Sequence, residues 1–261
     1  MSSLPPRLAA WLRPRVAEPP RERLATCHAC AMCAAPGEPS TPRHFRPDVK
    51  CCTWHPTLPN FAVGAILRDP ASPGRDVLRR KIEEGVGVTP RGVGPPQHWE
   101  MLYARAPFGR TRAMVCPYFA DGACGVWRHR EAVCATYFCK HEDGPAGERW
   151  WTSAKRFLSA VEDDLASWCV TELDPGPEPR ARIAAAPPDG ELPPWDFEGP
   201  LPRAELEARF GRWADRVEAF FEACADLVDG IDPERVLERC GPEARLAARN
   251  LTDEEHARKV T

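Results

Sequence analysis

Cysteine is the residue type with which this chain is best equipped to do chemistry. Twelve cysteines occur in 261 residues, and nine of them fall between Cys27 and Cys139. The first group is Cys27-x2-Cys30-x2-Cys33, and the adjacent pair Cys51-Cys52 follows. The last four lie in the run Cys116-Pro-Tyr-Phe-x4-Cys124-Gly-Val-Trp-x2-Arg130-x3-Cys134-x2-Tyr-Phe-Cys139. Sulfur at this density, in a chain that shows no secretory signal, is more simply explained by metal than by disulfides, because cytosolic thiols stay reduced. Nine thiols exceed the four that one tetrahedral ion takes, so two four-ligand sites, or one cluster with spare thiols, would accommodate them. The expected cofactor is zinc or iron, the iron as an ion or in an iron–sulfur cluster, since both accept four cysteines. His28, His55, His129 and His141 lie within a few residues of cysteines and could complete a Cys3His site. Cys169, Cys224 and Cys240 lie on or beside apolar helical faces with no cysteine close in sequence, and are expected in the core.

Four thiolates around a divalent ion leave a net charge near −2, and burying it calls for donors and counter-charge. Arg130, between Cys124 and Cys134, is placed to donate to ligand sulfur. Arg128 is expected to face water, and Trp127, Tyr137 and Phe138 to form an apolar wall. Adjacent side chains diverge in extended backbone, so only one of Cys51 and Cys52 is expected to serve a given tetrahedral ion.

The run from Cys116 to Cys139 resembles the YkgJ-type cysteine-cluster family, described as zinc- or iron-chelating domains. The family's second half reads Cys-Pro-(Phe/Tyr)-Leu and then Cys-x-Ile-Tyr-x2-Arg-Pro-x2-Cys-x2-Phe-x-Cys. Cys116-Pro117-Tyr118-Phe119 match the opening, and Cys124, Val126, Trp127, Arg130, Cys134, Tyr137 and Cys139 keep every later spacing. Its first half, Cys-x2-Cys-x2-Cys-Cys, corresponds to Cys27, Cys30 and Cys33, with Ala34 where the fourth cysteine would stand. Glu131 replaces the proline after the arginine, and Cys51-Cys52 is the nearest source of what Ala34 lacks. The resemblance spans roughly residues 25 to 145 and implies a metal-chelating role. Some flagellin lysine methylases are similar in carrying such a cluster.

The elements that must position these sulfurs are legible in part. Thirty prolines and eighteen glycines exclude long regular structure over much of the chain. Phe61 to Leu67 is apolar, and a helix is expected from Gly74 to Glu84 with Val77, Leu78 and Ile82 on one side. Gly85-Val-Gly and Gly92-Val-Gly are expected in loops. Pro90, Pro95 and Pro96 argue against a phosphate cradle there. After a charged turn over Lys140 to Glu148, Trp151, Ala154, Leu158, Val161, Leu165 and Trp168 set a helix over about 150–170. Leu206, Phe210, Trp213, Val217, Phe220, Cys224 and Leu227 set another that Pro202 would open. Asp232-Pro233 caps a short helix ending at Cys240-Gly241-Pro242, and a charged helix follows to about Arg258.

The expected fold is mainly α, an irregular cysteine-ligated region packed against C-terminal helices. Its parts are a solvated Pro/Arg-rich arm over 1–24, the cysteine-cluster domain with its packing helix over 25–172, a Pro-rich linker over 173–203 and helices over 204–261. A net charge of −3 gives no global reason to bind nucleic acid or anionic membrane, and no apolar run approaches the roughly 18 to 20 residues that span a bilayer. The N-terminus has no apolar stretch of a secretory signal, although an Arg-rich, acid-poor opening also suits an organellar transit peptide. The expected compartment is the cytoplasm and the expected partner a metal ion. Three functions fit: a non-enzymatic metal carrier, sensor or metal-stabilised module; an iron–sulfur-dependent group-transfer enzyme; and a disulfide-stapled scaffold, which would need export. No separate nucleotide or S-adenosylmethionine fingerprint supports the second.

Overall fold

The computed structural model describes residues 4–17, 19–20, 30–96, 99, 103, 107–137, 141–173 and 203–260. Cys27, His28, Phe138, Cys139 and the Pro-rich stretch 174–202 lie outside the described residues. The chain is mainly helical. Its longer helices are α1 (Pro6–Leu12), α2 (Asn60–Arg68), α3 (Arg75–Glu84), α5 (Gly144–Leu173), α6 (Arg203–Phe210), α7 (Val217–Asp229) and α8 (Pro242–Val260). The strands are two residues each. β1 (Leu58–Pro59), β3 (Gly92–Val93) and β2 (Val88–Thr89) form one antiparallel sheet in that order, and β4 (Phe119–Ala120) pairs with β5 (Ala123–Cys124) in another.

Helix α5 is the spine. Its apolar stripe buries Trp150, Trp151, Ala154, Phe157, Leu158, Val161, Leu165 and Cys169, in three- and four-residue steps that keep one face turned inward. Helix α8 lies along it, held by a buried bond of 2.9 Å from Trp150 Nε1 to Glu255 Oε2. Helix α2 lies against α7, and Asn60 ties it to the spine. The Asn60 amide donates to Pro90 O at 3.0 Å and to Ala166 O at 2.9 Å, so a fully buried polar side chain leaves no donor unmade. One hydrophobic core runs through all these elements.

Four expectations need correction. The described part of the N-terminal arm is not solvated: Leu8, Trp11 and Leu12 are buried, and Trp11 meets Phe61 edge-on at 5.9 Å. Its apolar residues at i, i+3 and i+4 make a short amphipathic helix once Pro6 opens it. Helix α5 begins at Gly144, within the expected turn, because Pro145 suits a first helical turn. The long helix expected over 206–227 is broken: Gly211 turns the chain at φ +53, which lets Phe210 and Trp213 both fold back onto Phe220, at 5.6 and 5.8 Å. Gly92-Val93 is a strand between two partners and not a loop.

Candidate metal centre

The sequence around Cys116 folds by local rules that return it towards Cys124. Asp121 and Gly122, at φ +51 and +77, make the left-handed pair of a two-residue hairpin turn, and Phe119 pairs with Cys124 across it. The backbone N–H of Cys116 donates to Cys52 O at 2.7 Å, which joins this hairpin to the Cys51-Cys52 turn. Glu131 then starts α4 (Ala132–Ala135), the helical turn that carries Cys134. Its carboxylate accepts from the N–H groups of Val133 and Cys134, while Glu162 on α5 accepts from Ala132 N at 2.9 Å. A capping acid thus stands where the resembled family has proline, and both residue types suit a helix start.

These pieces enclose a cavity of about 300 Å³ lined by Cys30, Cys51, Cys52, Cys116, Cys124 and Cys134. Cys33 is close by: its N–H donates to Cys30 O at 3.2 Å, and its thiol is pushed up to about 11 by burial and by the Cys30 thiol. Seven of the nine candidate cysteines therefore share one region, and the other two, Cys27 and Cys139, are not described. The sulfurs ring the cavity without closing on a point. Among the described residues, no three Cys, His, Asp or Glu side chains are gathered tightly enough to hold one ion as they stand. The described cysteines are free thiols.

The thiols differ in readiness to ionise. Cys51 is brought down to about 7, chiefly by a hydrogen bond from Cys52, against burial and helped by the Arg130 and Lys50 charges. That same bond raises Cys52, as do burial and the nearby Cys51, Cys116 and Cys124. Burial pushes Cys116 up to about 12, and burial with the Glu131 carboxylate raises Cys134 well above its ordinary value. Because the thiolate is the nucleophile, Cys51, brought down to about 7, is expected in metal-free protein at pH 7.5 to react with iodoacetamide first, its rate levelling off above about pH 8. Cys116 and Cys134 should still be accelerating at pH 9. Peptide mass spectrometry of a timed reaction reads the order, and Cys116 labelled first would contradict it.

The expectation that Cys51 and Cys52 point apart is also corrected, because both line the cavity. The backbone there is not extended. It curls in successive turns, with Cys52 N bonded to Val49 O and Trp54 N to Cys51 O, and Lys50 sits at φ +52. Arg130 lines the cavity with its guanidinium carbon over the Trp127 ring, 3.4 Å from the centroid. Its Nε donates to Trp127 O at 3.1 Å, and its charge favours the Cys51 thiolate. Arg128 is exposed. Trp127 and Tyr137 do form part of the wall, with Trp54 and Phe108, two loop aromatics that no periodicity marked.

The histidines are placed elsewhere. Both His55 ring nitrogens are engaged, Nδ1 with Pro56 O at 2.9 Å and Nε2 with Lys81 Nζ at 3.2 Å, which leaves none for a metal. His129 Nε2 pairs with Asp69 at 2.9 Å on the rim of a different cavity. Neither of these nor His141 lines the cysteine cavity. Cys169 and Cys224 are fully buried between α5 and α7, and Cys240 donates to Val236 O at 3.3 Å. Among the described residues, no helix is long and apolar enough to cross a membrane. Set against models of known families, curated proteins and solved structures, the chain finds no match, so its resemblance to the cysteine-cluster family rests on the motif residues alone.

Proposed function

We propose that this chain is a metal-binding protein whose cysteine cluster holds zinc or iron, acting as a metal carrier, a sensor or a metal-stabilised module. The observation that supports it is the convergence of Cys30, Cys51, Cys52, Cys116, Cys124 and Cys134, drawn from separate stretches of chain, on one cavity. The bond to Cys51 and burial raise Cys52, and burial raises Cys116 and Cys134, so these thiols stay neutral until a bound cation takes them as thiolates. The donor set is soft and suits zinc or iron–sulfur. Size favours the larger group. Four sulfurs about 2.3 Å from a single zinc would close on it, whereas about 300 Å³ is the space of roughly ten water molecules and suits a cluster, or an ion with a further ligand.

The same space supports a second reading, a group-transfer enzyme. Trp54, Phe108 and Tyr137 are each about 40 % exposed and line this cavity, as the wall of a substrate pocket would. A bound iron–sulfur group would supply electron transfer there, and these aromatics would seat an apolar molecule beside it.

Protein purified without oxygen is expected to carry at least one metal per chain. Brown colour with acid-labile sulfide would identify iron–sulfur, and a colourless zinc protein the alternative. Folded protein with less than one metal per chain by elemental analysis would refute the proposal.

A further inference from the structure

One short stretch of chain borders two cavities. Trp127 and Arg130 line that of the cysteines, whereas Arg128 and His129 line the second, together with residues of α1, α2, α5 and α7. The second cavity has a volume of about 300 Å³, within the range of small-molecule sites. Trp11, Phe61 and Val228 give it an apolar wall.

Its polar groups differ in what they are free to do. Arg7 is committed to Asp229 at 2.6 Å, and His129 to Asp69 at 2.9 Å. Arg128 is exposed at the cavity and makes no hydrogen bond or ion pair among the described residues. Glu162 is the unusual member, the one acidic or basic side chain that α5 buries, only 8 % exposed. Its Oε2 is turned to α4 and accepts from Ala132 N at 2.9 Å, while Oε1 has no hydrogen-bond partner among the described residues. Oε1 is therefore what Glu162 has to offer the cavity that it lines. Burial first, and then the Glu131 carboxyl, hold Glu162 well above the usual carboxylate range, against the pull of the Ala132 N–H and of Arg7. The group is neutral at pH 7. A neutral carboxyl with one oxygen already used as an acceptor has its O–H left to donate.

A ligand that suits these groups brings a negative charge for Arg128, an acceptor for the Glu162 O–H and an apolar remainder for the wall. A carboxylate joined to a hydrocarbon body does all three. An ammonium would instead meet the charges of Arg7 and Arg128 and find Glu162 uncharged. We infer that this second cavity binds a small organic monocarboxylate, its anionic end held by Arg128 and Glu162 and its apolar body against Trp11, Phe61 and Val228. The site is separate from the cysteines, and the inference does not depend on whether they hold metal.

The test is isothermal titration calorimetry of the full chain with phenylacetate, and with phenethyl alcohol, phenethylamine and acetate for comparison. Phenylacetate should bind saturably. The alcohol and the amine, which lack the anion, and acetate, which lacks the apolar body, should each bind about 10-fold more weakly or worse, as the loss of a charge-assisted bond or of buried apolar area requires. Arg128→Gln should weaken phenylacetate about 10- to 100-fold, the range for a hydrogen bond between charged groups. Glu162→Gln should retain binding to within a few fold, because its amide is also neutral, still accepts from Ala132 N and still donates into the cavity. Ala10→Phe, which places a ring in the cavity from a half-buried position, should abolish binding. Circular dichroism checks that each variant is folded. If Glu162→Gln does not fold, Arg128→Gln and Ala10→Phe decide the matter. No saturable binding of phenylacetate to wild type would overturn the inference, as would amine or alcohol binding as tightly as the acid. Unchanged affinity in folded Arg128→Gln or Ala10→Phe would place the ligand elsewhere and overturn it too. Folded Glu162→Gln that no longer binds would show that Glu162 meets the ligand as a charged acceptor, which contradicts the donor role assigned to it.

Discussion

Cys116→Ser is expected to empty the site, lowering retained metal at least about 100-fold, whereas Cys224→Ala leaves metal content unchanged. Cys116 is 6 % exposed, lies among Cys51, Cys52 and Cys124, and is joined through its backbone to Cys52. Serine fits the same space but ionises far less readily and offers oxygen where a soft ion prefers sulfur. Free energy of metal binding is also free energy of folding, on the order of 10 kcal/mol in small zinc modules. The variant should therefore loosen around residues 30–137 while the helical core persists. Cys224 is a different case. Its carbonyl, which accepts from the Cys169 thiol at 3.7 Å, survives substitution by alanine, and only the packing of one sulfur is lost, on the order of 1 kcal/mol. Elemental analysis with near-ultraviolet circular dichroism reads both. Equal metal loss from the two variants would show that the division into ligand and core cysteines is wrong.

The second large effect belongs to the scaffold. Gly64→Val is expected to destabilise the protein by about 3 kcal/mol or more, at the upper end for overpacking. A Cβ at position 64 would lie 2.0 Å from the carbonyl oxygen of Phe221 and 2.5 Å from its carbon. Those are backbone atoms of α7, so no rotamer change relieves the clash and the two helices must separate. Valine's gain in helix propensity over glycine returns less than about 0.5 kcal/mol. The urea midpoint should fall without a change in which cysteines hold metal, and an unchanged midpoint would mean that α2 and α7 are not in backbone contact.

Helices α3, α5 and α7 were legible from apolar residues recurring on one face, and α8 from the Gly241-Pro242 break before a charged stretch. The break at Gly211 was hidden for the same reason: the apolar stripe of Phe210, Trp213 and Val217 runs across it at helical spacing. Cysteine spacing showed which residues could ligate but not that they share one cavity. That depends on a hairpin whose strands are too short to alternate, and on Glu162 reaching Ala132 from 30 positions away. Trp54 and Phe108 come from turns, where pattern carries no information about direction.

The bond from Ala132 N to Glu162 also sets an order of events. Protein chains emerge from synthesis N-terminus first, and every candidate ligand precedes α5, yet α4 beneath Cys134 takes its first acceptor from the middle of α5. The nascent ligands are therefore complete in number before they are complete in geometry. The cysteine region is not a detachable cartridge: a fragment ending near residue 140 would contain all nine clustered thiols while lacking the carboxylate that finishes the turn under one of them. On the proposed reading, such a fragment would offer its thiols to metal before the docking spine completes the turn under Cys134.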